Sequence, residues 1–345
     1  MKVNYSNRIY YEITSNCNLK CIHCSDMLHG HNNQLNISDV LTFHQKVMKL
    51  GIKDSVVTGG EPTLNKDFYD IVNNLANFGN VLITSNAIDV DYEKIKQLLK
   101  NKNVIYQISC DGISKDIFES IRGRNTYNRV FNIINCLVED GYQNQLALSM
   151  TIMKDNYVDV KKMISFVKQK KIKYLHFPTL LPTGVAKKDW EKIALSPKEQ
   201  IRIDNIILNE MQNENNLIIT SNRIEYILTK INTKGCQDCL SNPTLKVTAD
   251  GTIFACPASV NRKYSLGNIH DDLTIENLEK KLKSIKQKVK FIRNKCIKCK
   301  YLLICTGKFC SNCVLLEKPE EMYFNHDCKI IKSHFDEAFY ELGEN

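Results

Sequence analysis

The sequence predicts an α/β fold: a parallel sheet with helices packed outside it, followed by a small cysteine-rich domain. Three observations lead there. Strand-like and helix-like segments alternate through the first two thirds of the 345 residues. Three cysteines stand just past the first strand-like segment, and nine more crowd into the 93 residues from Cys236 to Cys328. Alternation sets the class, because β/α units in series build a parallel sheet.

The elements follow in order. Ile9 to Thr14 is aromatic and β-branched and reads as a strand. Ser38 is the expected cap of an amphipathic stretch that runs through Leu50, and Gly51 is placed to end it. Ser55 to Thr58 is the second strand. A predicted helix over 66–78, strand over 81–84, helix over 92–99 and strand over 104–109 continue the pattern. A helix over 127–138, a strand over 146–152, a helix over 157–167 and a strand over 174–177 complete six units. Thr183-Gly184 reads as a turn, and the segment over 196–213 as a bridging helix. The expected boundaries are 1–190 for the sheet domain, 191–232 for a helical bridge and 233–345 for the cysteine-rich domain.

Cys17, Cys21 and Cys24 are spaced C-x3-C-x2-C. Three thiolates leave one iron of an iron–sulfur cluster without a protein ligand, open to a small molecule or to a distant residue. A loop at the C-terminal end of a barrel strand is where α/β barrels place chemistry. The alternatives at this spacing are a zinc loop or a disulfide loop.

With Gly59-Gly60-Glu61-Pro62 at the end of the second strand, these cysteines resemble the radical S-adenosylmethionine (radical SAM) enzymes. The resemblance implies a partial (β/α)6 TIM-like barrel, open at one side. It also implies a 4Fe–4S cluster whose open iron is chelated by SAM, and a 5′-deoxyadenosyl radical that abstracts hydrogen. Gly59 and Gly60 are expected to let backbone carbonyls approach the SAM amino group, with Glu61 completing the motif. By the same resemblance Ser85, Asn86, Ser109 and Asp111 lie where the family binds ribose and nearby groups. Arg122 would hold the SAM carboxylate through paired hydrogen bonds. His23, in place of an aromatic residue common in relatives, would stack near the adenine, shield the cluster or simply pack in the loop. His29 and His31 sit in a polar stretch and receive no ligand role. Cys110 and Cys136 lie in apolar segments and read as core residues.

The C-terminal spacing resembles the SPASM extension of radical SAM enzymes, which carries two auxiliary 4Fe–4S clusters, three clusters in all. Asp250-Gly251 reads as a hairpin turn that places Cys256 past the second strand. Motif matching gives one cluster Cys296, Cys299, Cys305 and Cys328, and the other Cys236, Cys239, Cys256 and Cys310. Cys313 is left over as a rival to Cys310, an inert thiol or a hydrogen donor to a substrate radical. Paired C-x2-C units also bind zinc, and the hairpin glycine and the x5 spacing favour iron.

Composition bounds the rest. Fourteen cysteines and a chain without signal peptide or long apolar run fit a cytoplasmic metalloprotein. The formal charge of +9 falls to roughly +4 once three clusters contribute about −5. Ten lysines and arginines between Lys280 and Lys300 read as a solvated face beside anionic clusters, or as a dock for an acidic peptide. With Phe291 and the adjacent Tyr301 as the only aromatics there, nucleic-acid binding is disfavoured, and no membrane partner is expected. SPASM enzymes in general modify peptides, so a ribosomally made peptide is the expected substrate, with a tetrapyrrole or other small molecule as the alternative. The short segment before the first strand implies a separate leader-peptide recognition protein or direct recognition. The resemblance adds a flavodoxin- or ferredoxin-type electron donor. Pro257 after Cys256, where sulfatase maturases carry aspartate, disfavours formylglycine formation. A non-catalytic metal scaffold is the remaining reading.

Overall fold

A computed structural model of the chain describes residues 5–25, 32–213, 216–232, 240, 242–272, 274–288, 294–305 and 321–343. The expected ligands Cys236, Cys239, Cys310 and Cys313, together with His29 and His31, lie outside the described residues.

Six strands stand where the alternation places them: β1 Arg8–Glu12, β2 Asp54–Thr58, β3 Val81–Ser85, β4 Val104–Ser109, β5 Leu146–Ser149 and β6 Tyr174–Phe177. They pair in parallel and in sequence order. Between them run α1 Ile37–Met48, α2 Phe68–Leu75, α3 Tyr92–Leu99, α4 Lys115–Arg122, α5 Tyr127–Glu139 and α6 Val160–Gln169. This is the parallel α/β architecture that the sequence predicts. The helix over 115–122 was not among the predicted elements, and α1 is capped by Asn36, whose side chain accepts the Asp39 N–H, rather than by Ser38.

The sheet does not stop at six strands. β7, Ile218–Ser221, pairs in parallel with β6, in a stretch expected to be a helical bridge. A four-residue strand between two longer helices, Pro197–Asn213 and Asn222–Asn232, leaves too short an apolar run to outweigh its helical surroundings. At the other edge, β8 Leu245–Val247 pairs in parallel with β1, and β9 Thr252–Phe254 and β10 Gly267–Asn268 continue antiparallel. The cysteine-rich segment thus begins as a continuation of the barrel sheet.

Strand alternation separates the two faces. Ile9, Tyr11, Val57, Ile83, Tyr106, Ile108, Leu148 and Leu175 point outward and are buried against the helices. Val40, Phe43 and Val47 of α1 and Ile71, Val72 and Leu75 of α2 meet them at helical spacing. Fully burying side chains of this size contributes about 1.5–3 kcal/mol each. The inward positions are polar toward the strand ends, so the interior is a cavity. Among the described residues no helix is long and apolar enough to cross a membrane.

The expected hairpin turn is present. Gly251 has φ +82°, and a Cβ there would sit 2.6 Å from Asn268 Oδ1. The Asp250 carboxylate accepts from Thr248 Oγ1 at 2.6 Å and from the Thr252 N–H, and pairs with Arg262. Although burial opposes ionisation, these hydrogen bonds hold its pKa down to about 2. Such a depressed carboxylate stabilises the fold above its ordinary value of 3.8 and loses that contribution as the pH falls toward 2. Asp250→Asn is therefore expected to cost roughly 1 kcal/mol near neutral pH after solvent screening, and progressively less as the medium is acidified through that window. Urea unfolding across pH measures it.

Candidate active site

The loop that carries the three cysteines is clamped by backbone. Beyond β1, Ile13 N–H donates to Thr58 O, Gly60 N–H to Thr14 O at 2.8 Å and Glu61 N–H to Asn16 O at 2.7 Å. A Cβ on Gly59 would lie 2.3 Å from Thr14 O, and one on Gly60 would lie 2.3 Å from Asn16 O. Real Cβ atoms do not approach backbone so closely, so both positions need glycine, and Gly59 also has φ +144°. The bare backbone admits the cysteine loop on one side, and both glycines also line the cavity.

Glu61 joins this clamp to the next strand. Its side chain is fully buried. Oε1 accepts from Thr63 Oγ1 and Ser85 Oγ, both at 2.8 Å, and more weakly from Thr63 N–H; Oε2 accepts from Asn86 N–H at 2.7 Å. Burial raises the Glu61 pKa, and the four hydrogen bonds oppose that rise. Ser85 also accepts from Tyr106 Oη and Ala87 N–H. Glu61 and Ser85 are thus engaged with protein donors at the ends of β2 and β3.

Each cysteine of the loop is positioned by a different neighbour. Cys17 Sγ accepts from Leu19 N–H at 3.5 Å and from Asn86 Nδ2 at 3.8 Å, and Asn86 Nδ2 also reaches Asn18 Oδ1 at 2.8 Å. Cys21 Sγ accepts from Arg122 Nη1 at 3.9 Å. The Cys24 carbonyl accepts from Val185 N–H at 2.9 Å, just past Gly184, where φ is +57° and a Cβ would meet Cys24 O at 2.6 Å. Burial pushes the Cys17 and Cys21 thiols up, with Arg122 opposing it at Cys21. Sulfurs that already receive N–H donors suit thiolate ligation of an iron–sulfur cluster.

Asp111, Arg122 and His23 form one buried group behind that loop. Arg122 Nη2 lies 2.7 Å from Asp111 Oδ2, and His23 Nε2 lies 3.4 Å from the same oxygen. Asp111 Oδ1 accepts Thr151 N–H at 2.7 Å, and its main-chain carbonyl accepts Asn156 Nδ2. Asp111 is fully buried behind the cavity wall, whereas Ser109, Asn86, His23 and Arg122 line the cavity. Burial lowers the His23 pKa against the pull of Asp111. Among the described residues, Arg122 Nε and His23 Nδ1 are buried with no hydrogen-bond partner. Two such orphaned groups beside the cysteine loop fit a polar ligand such as the SAM carboxylate.

The cavity has a volume of about 1280 Å³ and reaches from Cys17, Cys21 and Cys24 to Cys256 beyond β9. Its wall includes residues that motif reading missed. Ser109, Ser149, His176 and Thr220 face each other across β4 to β7 in register and all line it. Thr220 Oγ1 lies 2.8 Å from His176 Nδ1, and burial pulls the His176 pKa down to about 4. The signal for these residues was a polar side chain near the C-terminal end of successive strands, at Ser109, Ser149, His176 and Thr220. Cys110 is fully buried, as the sequence reading expected.

Farther out, Cys296, Cys299, Cys305 and Cys328 gather in one small apolar cluster with Ile227, Tyr301, Ile331 and Phe335. They come from two stretches of sequence, 296–305 and the helix that carries Cys328, and among the described residues no three His, Cys, Asp or Glu side chains are grouped as ligands of one metal ion.

The description "Radical SAM superfamily" belongs to the family profile that matches residues 11–167. Over that segment, which holds β2 to β5 and the three-cysteine loop, the chain is similar to a family that uses SAM and a 4Fe–4S cluster. GTP 3′,8-cyclase of Clostridium acetobutylicum is 27% identical over 282 residues, 77% of this chain and 86% of its own length. Streptococcus suis SuiB bound to the precursor peptide SuiA has a TM-score of 0.74 at 16% identity, covering 90% of this chain and 72% of that one. Native anSMEcpe with bound AdoMet and Kp18Cys peptide has a TM-score of 0.73 at 21% identity, covering 98% of each chain. These structures share the fold of the barrel and of the segment that follows it.

Gly60→Ala is expected to displace the cysteine loop and to lower iron per chain after reconstitution severalfold. Glu61→Gln turns an amide NH2 toward buried donors and is expected to cost about 3 kcal/mol, read by denaturant unfolding. An unchanged iron content in Gly60→Ala would show that the clamp is dispensable.

Proposed function

We propose that the chain is a radical SAM/SPASM enzyme that abstracts hydrogen from a ribosomally made peptide, leading to a cross-link, an epimerised residue or a related oxidation. Cys17, Cys21 and Cys24 would hold the SAM-binding cluster, with Arg122, His23, Asn86 and Ser109 on the SAM side. Cys296, Cys299, Cys305 and Cys328 would hold one auxiliary cluster. Cys256 would serve the other, with Cys236, Cys239 and Cys310 or Cys313. When bound, the cluster and SAM supply a 5′-deoxyadenosyl radical. The protein's own contribution is to seat the loop, exclude water and hold the substrate against the radical, where positioning accounts for much of the rate.

The cavity carries the substrate reading. At about 1280 Å³ it exceeds the ordinary small-molecule site of about 300–1,000 Å³. It leaves room for a peptide segment beside SAM. Among the described residues six lysines and arginines line it, Arg8, Arg122, Arg223, Lys246, Arg262 and Lys263. Four already face carboxylates: Arg122 at Asp111, Arg223 at Asp327, Lys246 at Glu12 and Arg262 at Asp250. A wall whose cations are mostly neutralised suits a peptide better than a triphosphate. The likeness of the fold to SuiB, seen with its precursor peptide, agrees. A second reading, a small-molecule substrate, draws on the similarity to GTP 3′,8-cyclases.

With SAM and dithionite, the reconstituted protein is expected to release 5′-deoxyadenosine. Co-expression with a short peptide encoded beside its gene is expected to change that peptide's mass. Deoxyadenosine release with GTP consumed and neighbouring peptides unchanged would favour the small-molecule reading; no deoxyadenosine at all would remove both.

A further inference from the structure

We propose that Arg122 and Asp111 form a charge pair that sets the reduction potential of the cluster held by Cys17, Cys21 and Cys24. The inference rests on the assignment of those three cysteines and does not depend on the substrate.

The geometry is specific. Arg122 is 7% exposed and Asp111 fully buried, so neither charge is screened by bulk water. One guanidinium nitrogen, Nη1, donates to Cys21 Sγ at 3.9 Å, and the other, Nη2, faces Asp111 Oδ2 at 2.7 Å. The cation therefore touches a cluster ligand directly, and the anion lies one group farther away. Asp111 cannot swing toward the sulfur, because its other oxygen accepts Thr151 N–H at 2.7 Å. Arg122 is fixed at its own end by the loop, since Ile22 N–H donates to Ile121 O.

Hydrogen bonds to the sulfurs and nearby charges set the potential of an iron–sulfur cluster. Reduction adds negative charge. A cation bonded to the ligand sulfur stabilises the reduced form and raises the potential; an anion behind it counteracts the cation and lowers the potential. The pair thus holds the cluster between two extremes, and the two partners have opposite effects. A purely structural pair behaves differently, because loss of either partner then damages the loop in the same way.

The test is a redox titration of the reconstituted, SAM-free holoprotein, with the reduced cluster counted by electron paramagnetic resonance. Auxiliary clusters are removed from the signal by Cys296→Ala and Cys256→Ala in every protein compared. At a fixed applied potential, Arg122→Gln, which keeps an N–H donor but loses the charge, is expected to lower the reduced-to-oxidised ratio about tenfold, the order of size expected for loss of one unit charge beside the cluster. Asp111→Asn is expected to raise the ratio by about the same factor. Ratios within threefold of the parent in both variants, or shifts in the same direction, overturn the proposal. Should Arg122→Gln fail to hold iron, Asp111→Asn decides: a rise supports the pair, and no change or a fall overturns it.

Discussion

Backbone packed on backbone, at Gly59 and Gly60 against Thr14 and Asn16, is the contact on which the rest of the site depends. Two Cβ atoms would each intrude to 2.3 Å, so the approach exists only because both side chains are absent. It fixes where β1 ends and hence where Cys17 begins. Glu61 then carries the constraint to β3, with four donors converging on one buried carboxylate. From β3, Asn86 reaches back to Asn18 and Cys17. The loop is thereby tied to two strand ends in addition to its own. Arg122 at the end of α4 and Val185 beyond Gly184 hold its far side.

A second constraint is the division of the sheet into an apolar outer face and an inner one that turns polar toward the C-terminal strand ends. The outer residues pack with the helices and make the barrel stable without using its interior. In a filled barrel the inner positions would be bulky and branched. Here Thr58, Thr84, Gln107, Ser109, Ser149 and His176 line a cavity instead. Space for substrate follows from side-chain choice along the strands, and the sheet edges extend it. β8 attaches the hairpin to β1, and that hairpin delivers Cys256 and the Lys246–Glu12 ion pair to the same cavity.

Much of the barrel could be read from the chain because its signals are local. The apolar, β-branched run from Val81 to Thr84 and the helical spacing of Tyr92 to Leu99 each lie within a few residues. The thiol loop could be read because its spacing is itself the chemistry. β7 could not, since four residues between two helices give no period, and its pairing with β6 is a property of the sheet. Gly59 and Gly60 mark close approach in the sequence, and their contact with Thr14 and Asn16 becomes visible only in the fold. Asp111 and Arg122 stand eleven residues apart, and nothing in that spacing announces that they meet beneath Cys21. The row from Ser109 to Thr220 crosses four strands and exists only once their register is set.

In a cluster held by Cys17, Cys21 and Cys24 one iron would differ from the rest, because three cysteines on a clamped loop leave a four-iron cluster one ligand short. Mössbauer spectroscopy of protein reconstituted with 57Fe, recorded with and without SAM, tests this most directly. SAM is expected to shift one iron subsite and leave the remaining iron signals unchanged. A spectrum that does not respond to SAM, or a protein that takes up zinc in place of iron, would contradict the account.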